Sequence, residues 1–131
     1  MGNSKESKII SPIYLIVPRK TKKDKKCALN LNSYRNWQFH LSNQLKIMYK
    51  EEMEEQLRWK KFKTPIGITY TLFWAYKSDL MNVVAVVDKF FCDAMVHFWC
   101  IPDDNFDYLI EAHAVVWWKD RKNPRMEITI I

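Results

Sequence analysis

IGITYTLFWAYKSDLMNVVAVVDKFFCDAMVHF, residues 66–98, is the stretch from which the fold is read. Ile66, Ile68, Tyr70, Leu72, Trp74 and Tyr76 take every second place, with Gly67, Thr69, Thr71 and Ala75 among the residues between them. A period of two sends successive side chains to opposite faces of a pleated strand. From Asn82 the period changes: Val83, Val87, Phe90 or Phe91, Ala94 and Phe98 recur at helical spacing, which lays one apolar stripe along a helix. A strand feeding directly into an apolar helix predicts a sheet covered by helices.

Working outward from there, Ile9 to Val17 is β-branched and loosely alternating and stops at Pro18, so it reads as a strand. Cys27 to Leu31 reads as a short return strand. Ser33 looks like an N-cap, and Tyr34, Trp37, Leu41, Leu45 and Met48 follow at helical spacing in a helix that runs to about Trp59. Thr64-Pro65 ends that segment. Downstream, Pro102 and Asp103-Asp104-Asn105 make a turn, and Tyr108–Trp118 and Met126–Ile131 read as strands joined by the polar Lys119–Pro124. The predicted order is β(β)αβαββ: an α+β single domain with a mixed or antiparallel sheet and two main helices. The domain is expected over residues 9–131, behind a flexible N-terminal segment at residues 1–8.

Composition narrows the chemistry. The chain of 131 residues is 48% hydrophobic and 15% aromatic, enough for a real core. Its two glycines, Gly2 and Gly67, exclude a glycine-rich phosphate loop, and with it Walker or Rossmann nucleotide cofactors. Cys27, Cys92 and Cys100 are an odd set without a Cys-x-x-Cys pair, which argues against a disulfide framework or a zinc ribbon. No apolar run approaches the roughly 18–20 residues of a membrane span, and Met1–Lys8 lacks the apolar centre of a signal peptide. A reducing cytoplasm and no membrane partner are the expectation.

Two groups of residues invite a functional reading. Arg19, Lys20, Lys22, Lys23, Lys25 and Lys26 face the single Asp24 within one short segment of a chain of net charge +6. Such a run is either a solvated loop tip or a polyanion-binding loop. Acidic residues gather around the second helix: Asp79 before it, Asp88 and Asp93 within it, Asp103 and Asp104 after it. A strand end and a post-helix turn can converge at a sheet edge, and carboxylates meeting there could hold Mg²⁺. The plain alternative is that Asp79 caps the helix and Asp103-Asp104 make a turn. Lys89 lies one helical turn from Asp93, either as a surface pair or as a cation facing a phosphate. His40, His97 and His113 show no ligand spacing. Trp117 and Trp118 are consecutive on a strand, so one of them is expected to face outward, where it could stack on a base.

Three segments together resemble the RusA family of Holliday-junction resolvases: Ser78-Asp79-Leu80-Met81-Asn82, Asp88-Lys89-Phe90-Phe91-Cys92-Asp93-Ala94-Met95, and Ile101-Pro102-Asp103-Asp104-Asn105. The family carries Asp-x-Asp-Asn, a helix with Lys-x-x-x-Asp-Ala-Leu, and an Asp-Asp pair ten residues after the helical aspartate. Lys89, Asp93-Ala94-Met95 and Asp103-Asp104 match the second and third elements at that spacing. Met81 stands at the place of the family's second aspartate, and Asn82 lies about one helical turn farther from Lys89 than in the family.

The resemblance implies a homodimeric, Mg²⁺-dependent endonuclease of phage or prophage origin, with Mn²⁺ as a substitute ion, acting in a bacterial cytoplasm. It would resolve four-way junctions and other branched DNA by paired nicks. It implies Asp79 and Asp104 as metal ligands, Asp103 and Asp88 as further carboxylates, Lys89 as the phosphate-stabilising cation, and the Arg19–Lys26 cations as phosphate contacts. Two other functions fit the same residues: a DNA-binding relative that has lost its metal site, and a phage protein that binds a host protein, because fold does not fix function.

Overall fold

The strand expected from the alternation is β4, Ile66–Trp74, in the computed structural model, which describes residues 7–131. It occupies an interior place in a four-stranded sheet ordered β1 (Ser7–Ser11), β6 (Arg125–Ile130), β4 and β5 (Leu109–Lys119). β4 pairs antiparallel with β6 and parallel with β5, and β1 closes the far side antiparallel to β6. The sheet is therefore mixed and the chain is a single α+β domain. Of the segment expected to be flexible, residues 1–6 lie outside the described residues. Ser7 and Lys8 already belong to β1, which moves the domain boundary two residues earlier.

The first predicted strand divides in two. Pro12 has no amide hydrogen to donate, so the ladder stops beside it. β1 stays in the main sheet, while β2 (Tyr14–Val17) turns away to pair with β3 (Lys25–Ala28) as a separate hairpin. A buried hydrogen bond of 2.7 Å between Ser11 Oγ and the Tyr49 hydroxyl holds the corner. The first predicted helix also divides. Asn30, not Ser33, is the cap: its Oδ1 accepts from the Ser33 amide at 2.9 Å and starts the single turn α1, Leu31–Tyr34. The long helix α2 begins afresh at Phe39 and ends at Leu57, burying one seam of Leu45, Tyr49, Met53 and Leu57.

The second predicted helix is α3, Leu80–His97, and it is buried on two sides. Phe91 meets Tyr70 of the sheet edge-on at 6.4 Å. Phe90, one position round the helix, meets Tyr49 of α2 at 5.5 Å and Trp37 at 6.1 Å. Both long helices end on a tryptophan in the left-handed region, Trp59 (φ 72°) and Trp99 (φ 62°). After α3 the Trp99 amide bonds to Val96 O and the Cys100 amide to Met95 O, the closing pattern that usually takes glycine.

The two edges of the sheet differ. At β1 the Gln56 side chain pairs with both the amide and the carbonyl of Ile10, each at 2.7 Å, and so occupies the strand edge. At β5 only Leu109 and Ala114 are even half-buried. Trp117 and Trp118 are 65% and 72% exposed. The register steps from Leu72↔Val116 to Phe73↔Trp118, leaving Trp117 as the extra residue of a bulge. Neither tryptophan packs inward, whereas alternation allowed only one to be outside.

On the outer face, Arg125 stacks over Phe73 at 4.0 Å and bridges Asp120 (2.9 Å) and Glu127 (2.8 Å), while Lys8 reaches Glu127 at 2.7 Å. Burial pushes the Glu127 carboxyl up, but the bonds from Lys8 and Arg125 outweigh it and hold it below the usual range. Its stabilising contribution is therefore present above the ordinary glutamate pKa of about 4.3 and is lost as pH falls through the depressed value. Glu127→Gln should cost about 1–3 kcal/mol in urea unfolding at neutral pH, and the gap from the parent should close as acid takes the pH below the depressed carboxyl value. A gap that persists in acid would assign the loss to packing instead.

Candidate functional site

The six predicted cations all belong to the β2–β3 hairpin, and all are exposed. Arg19 to Asp24 form its tip, closed by Arg19 Nε donating to Lys23 O at 2.8 Å, and Lys25 and Lys26 stand on β3. Lys26 Nζ lies 4.2 Å from the centre of the Tyr14 ring. The result is a two-stranded ribbon whose cations make no ion pair among the described residues. Such a ribbon can follow a phosphate backbone or enter a major groove.

The predicted carboxylates do not form one group. Because β4 and β5 are parallel, the chain must cross back between them, and α3 is that crossover. Asp79 is its N-cap, beside the C-terminal end of β4, while Asp103 and Asp104 follow its far end near the start of β5. Asp104 lies beside Asp93, which is on the order of 20 Å along the helix axis from Asp79. The expected convergence of Asp79 with Asp104 is corrected by this topology: the strand end and the post-helix turn face opposite ends of the sheet.

Asp88 is turned inward. Its Oδ1 accepts from the Tyr70 hydroxyl and, at 3.4 Å, from Cys92 Sγ. Burial, then the neighbouring Asp88, keeps the Cys92 thiol protonated well above its ordinary range. Asp88 is thereby a partner of the core. Lys89 is exposed, as its place off the buried stripe requires, and it makes no ion pair with Asp93 among the described residues.

What does come together is Asp93, Asp103 and Asp104, around an open depression also lined by Lys50, Val96 and His97. Asp103 is engaged by its own turn, accepting from the Asp104 amide at 2.7 Å and from Asn105 Nδ2 at 3.1 Å. Partial desolvation, then Asp103 and Asp93 nearby, push the Asp104 carboxyl above its ordinary range. Among the described residues no three His, Cys, Asp or Glu side chains are grouped to enclose an ion, and no helix is long and apolar enough to cross a membrane.

The sequence reading missed Tyr70 and Cys92 as partners of Asp88. The signals were there: Tyr70 lies on the inward face of β4, and Cys92 is one turn from Asp88. The β5–β6 turn lies where the polar Lys119–Pro124 segment was expected, but its role went unread: the Asp120 amide donates to Trp74 O at 2.7 Å and brings Lys119 and Arg121 beside the end of β4. No family model matches this sequence, and no curated protein matches it.

A carboxylate pushed up by desolvation and then by neighbouring acids is a cost when ionised, so Asp104→Asn should leave the melting temperature at pH 7 unchanged or raise it by a few degrees. The difference should vanish in acid, where the parent carboxyl is also neutral. A clear fall in melting temperature would make Asp104 a structural residue.

Proposed function

We propose that this chain binds branched DNA through the basic hairpin and acts on it as a magnesium-dependent, junction-resolving endonuclease. The observation that carries the reading is the hairpin itself: a ribbon set apart from the sheet, bearing six exposed cations with Asp24 as the one acidic residue among them. Folding alone does not call for such a concentration of like charge, whereas phosphate contacts use it directly. A homodimer suits a two-fold junction, and the open β5 edge, with Trp117 and Trp118 beside it, is the surface we assign to the second copy.

The cutting half rests on the family resemblance and on the crowded acidic end of α3. Asp79 and Asp104 do not fit a single ion, for the reason of topology given above. Asp103 and Asp104 do, because magnesium takes oxygen ligands, needs one or two carboxylates and keeps several waters; like-charge crowding at Asp104 is what a cation would relieve. Bound there, the ion would polarise a phosphodiester and activate a water. Lys50 in the depression and Lys89 on the exposed side of α3 would offset charge on a phosphate held nearby.

The separation of Asp79 from Asp104 favours a second reading, in which the chain binds junctions without cutting them. A labelled synthetic four-way junction, incubated with and without Mg²⁺, decides between the two. Paired nicks that need Mg²⁺ and disappear in Asp104→Asn, with binding retained, are the expected result. Salt-sensitive binding with no nicks in any metal would favour the binding-only reading. Replacing Lys22, Lys23, Lys25 and Lys26 by alanine should weaken junction binding and reduce the log–log salt slope by roughly 0.9 per lost contact. A parent chain with no salt-sensitive binding would exclude both readings.

A further inference from the structure

Tyr76 follows β4 with its side chain 70% exposed, and three segments remote in sequence meet around it. The hairpin base arrives from one side. A cavity of about 230 Å³ is lined by Tyr14 and Ala28 of the hairpin and by Trp74, Tyr76 and Lys77. Burial first, and then Tyr76 close by, raise the pKa of the Tyr14 hydroxyl. The β5–β6 turn arrives from the other side, pinned by the Asp120 amide on Trp74 O. It sets Arg121 Cζ 5.9 Å from the Tyr76 ring centre and Lys119 Nζ 5.9 Å from that of Trp74. With Lys26 over Tyr14, the surface runs cation, ring, ring, cation.

The charge of this band is not cancelled from within. Asp120, the acid of the turn, is taken by Arg125. Lys26, Lys77, Lys119 and Arg121 make no ion pair among the described residues. Tyr76 is exposed and Tyr14 and Trp74 are half-buried; a cation over a ring at such a surface contributes little to folding, so stability does not account for the arrangement. An exposed ring flanked by free cations is the equipment of proteins that hold single strands: phosphates follow the cations and unpaired bases stack on the ring. A duplex hides its base faces and gives Tyr76 nothing to stack on.

We infer that this band binds unpaired nucleotides of single-stranded DNA, with Tyr76 as the stacking platform and Lys26, Lys77, Lys119 and Arg121 along the backbone. The inference rests on the branched-DNA reading and adds to it which part of the branch is held: the unpaired bases at its centre or flank.

Fluorescence anisotropy of the full chain tests it, with a labelled oligothymidylate of about 12 nucleotides and a blunt duplex of about 20 base pairs as probes. Tyr76→Ala should lose about 5- to 100-fold in affinity for the oligothymidylate and keep its duplex affinity, while Tyr76→Phe stays close to the parent on both. Arg121→Ala and Lys119→Ala should each lower the single-strand salt slope by about 0.7. The exposure of Tyr76 leaves the fold independent of its ring, which far-UV circular dichroism checks. Parent-like binding of the oligothymidylate by Tyr76→Ala overturns the inference. If the hairpin variant still loses junction binding in that case, the proposed function stands without it. A parent chain that binds no DNA at all overturns both.

Discussion

Parallel pairing between β4 and β5 is the constraint on which the rest of this molecule depends. Parallel neighbours cannot be joined by a tight turn, so the chain has to travel back along the full strand before β5 can start. α3 makes that journey, held between Tyr70 and Phe91 on the sheet side and Tyr49 and Phe90 on the α2 side. Packed on two faces, it has little freedom to shift. Its two ends are thereby assigned to opposite ends of the sheet, and so is everything attached to them.

The consequence is a molecule polarised along α3. At the N-terminal end lie the hairpin base, Tyr76 and the β5–β6 turn. The amide of Leu31 ties α1 to the same place through Asn82 Oδ1 at 3.1 Å. This end carries cations and the exposed ring of Tyr76. The C-terminal end carries Asp93, Asp103 and Asp104, with Lys50 and His97 beside them. A polyanion would be drawn to the first end, where Lys26, Lys77, Lys119 and Arg121 outnumber Asp79, and a cation to the second. Lys89 stands exposed between the two ends.

The interior is settled by different means. Asp88 is satisfied by Tyr70 and Cys92, Ser11 by Tyr49, and no buried side-chain nitrogen or oxygen lacks a partner among the described residues. A polar network of this kind stays in place only when every member is bonded, which makes Asp88 a folding residue. The sheet edges follow the same economy of partners. Gln56 occupies the β1 edge, whereas β5 keeps its ladder groups and two tryptophans outside, the feature that a second protomer would cover.

Periodicity along the chain was sufficient for β4 and α3, because burial of one face leaves a repeat of two or of 3.6 that any reader can count. β6 buries every second residue in the same way, whereas β5 is exposed along nearly all of its length; the basic hairpin was legible as a charged connection, and Lys89 as a residue off the buried stripe. Local signals failed where a neighbour in space overrode them. Pro12 split the first strand only because β6 and β3 were there to take its two halves. Asn30 displaced Ser33 as cap, and with just Gly2 and Gly67 in the chain the helix ends fell on Trp59 and Trp99, where no glycine could mark them. The site was least legible of all. Sequence order places Asp79, Asp88, Asp93, Asp103 and Asp104 around one helix, but which of them meet depends on the direction of the strand that follows. Parallel and antiparallel pairing of β5 bury much the same apolar residues and so leave nearly the same pattern in the sequence; only the assembled sheet, through the crossover it forces, sent Asp79 to one end and Asp104 to the other.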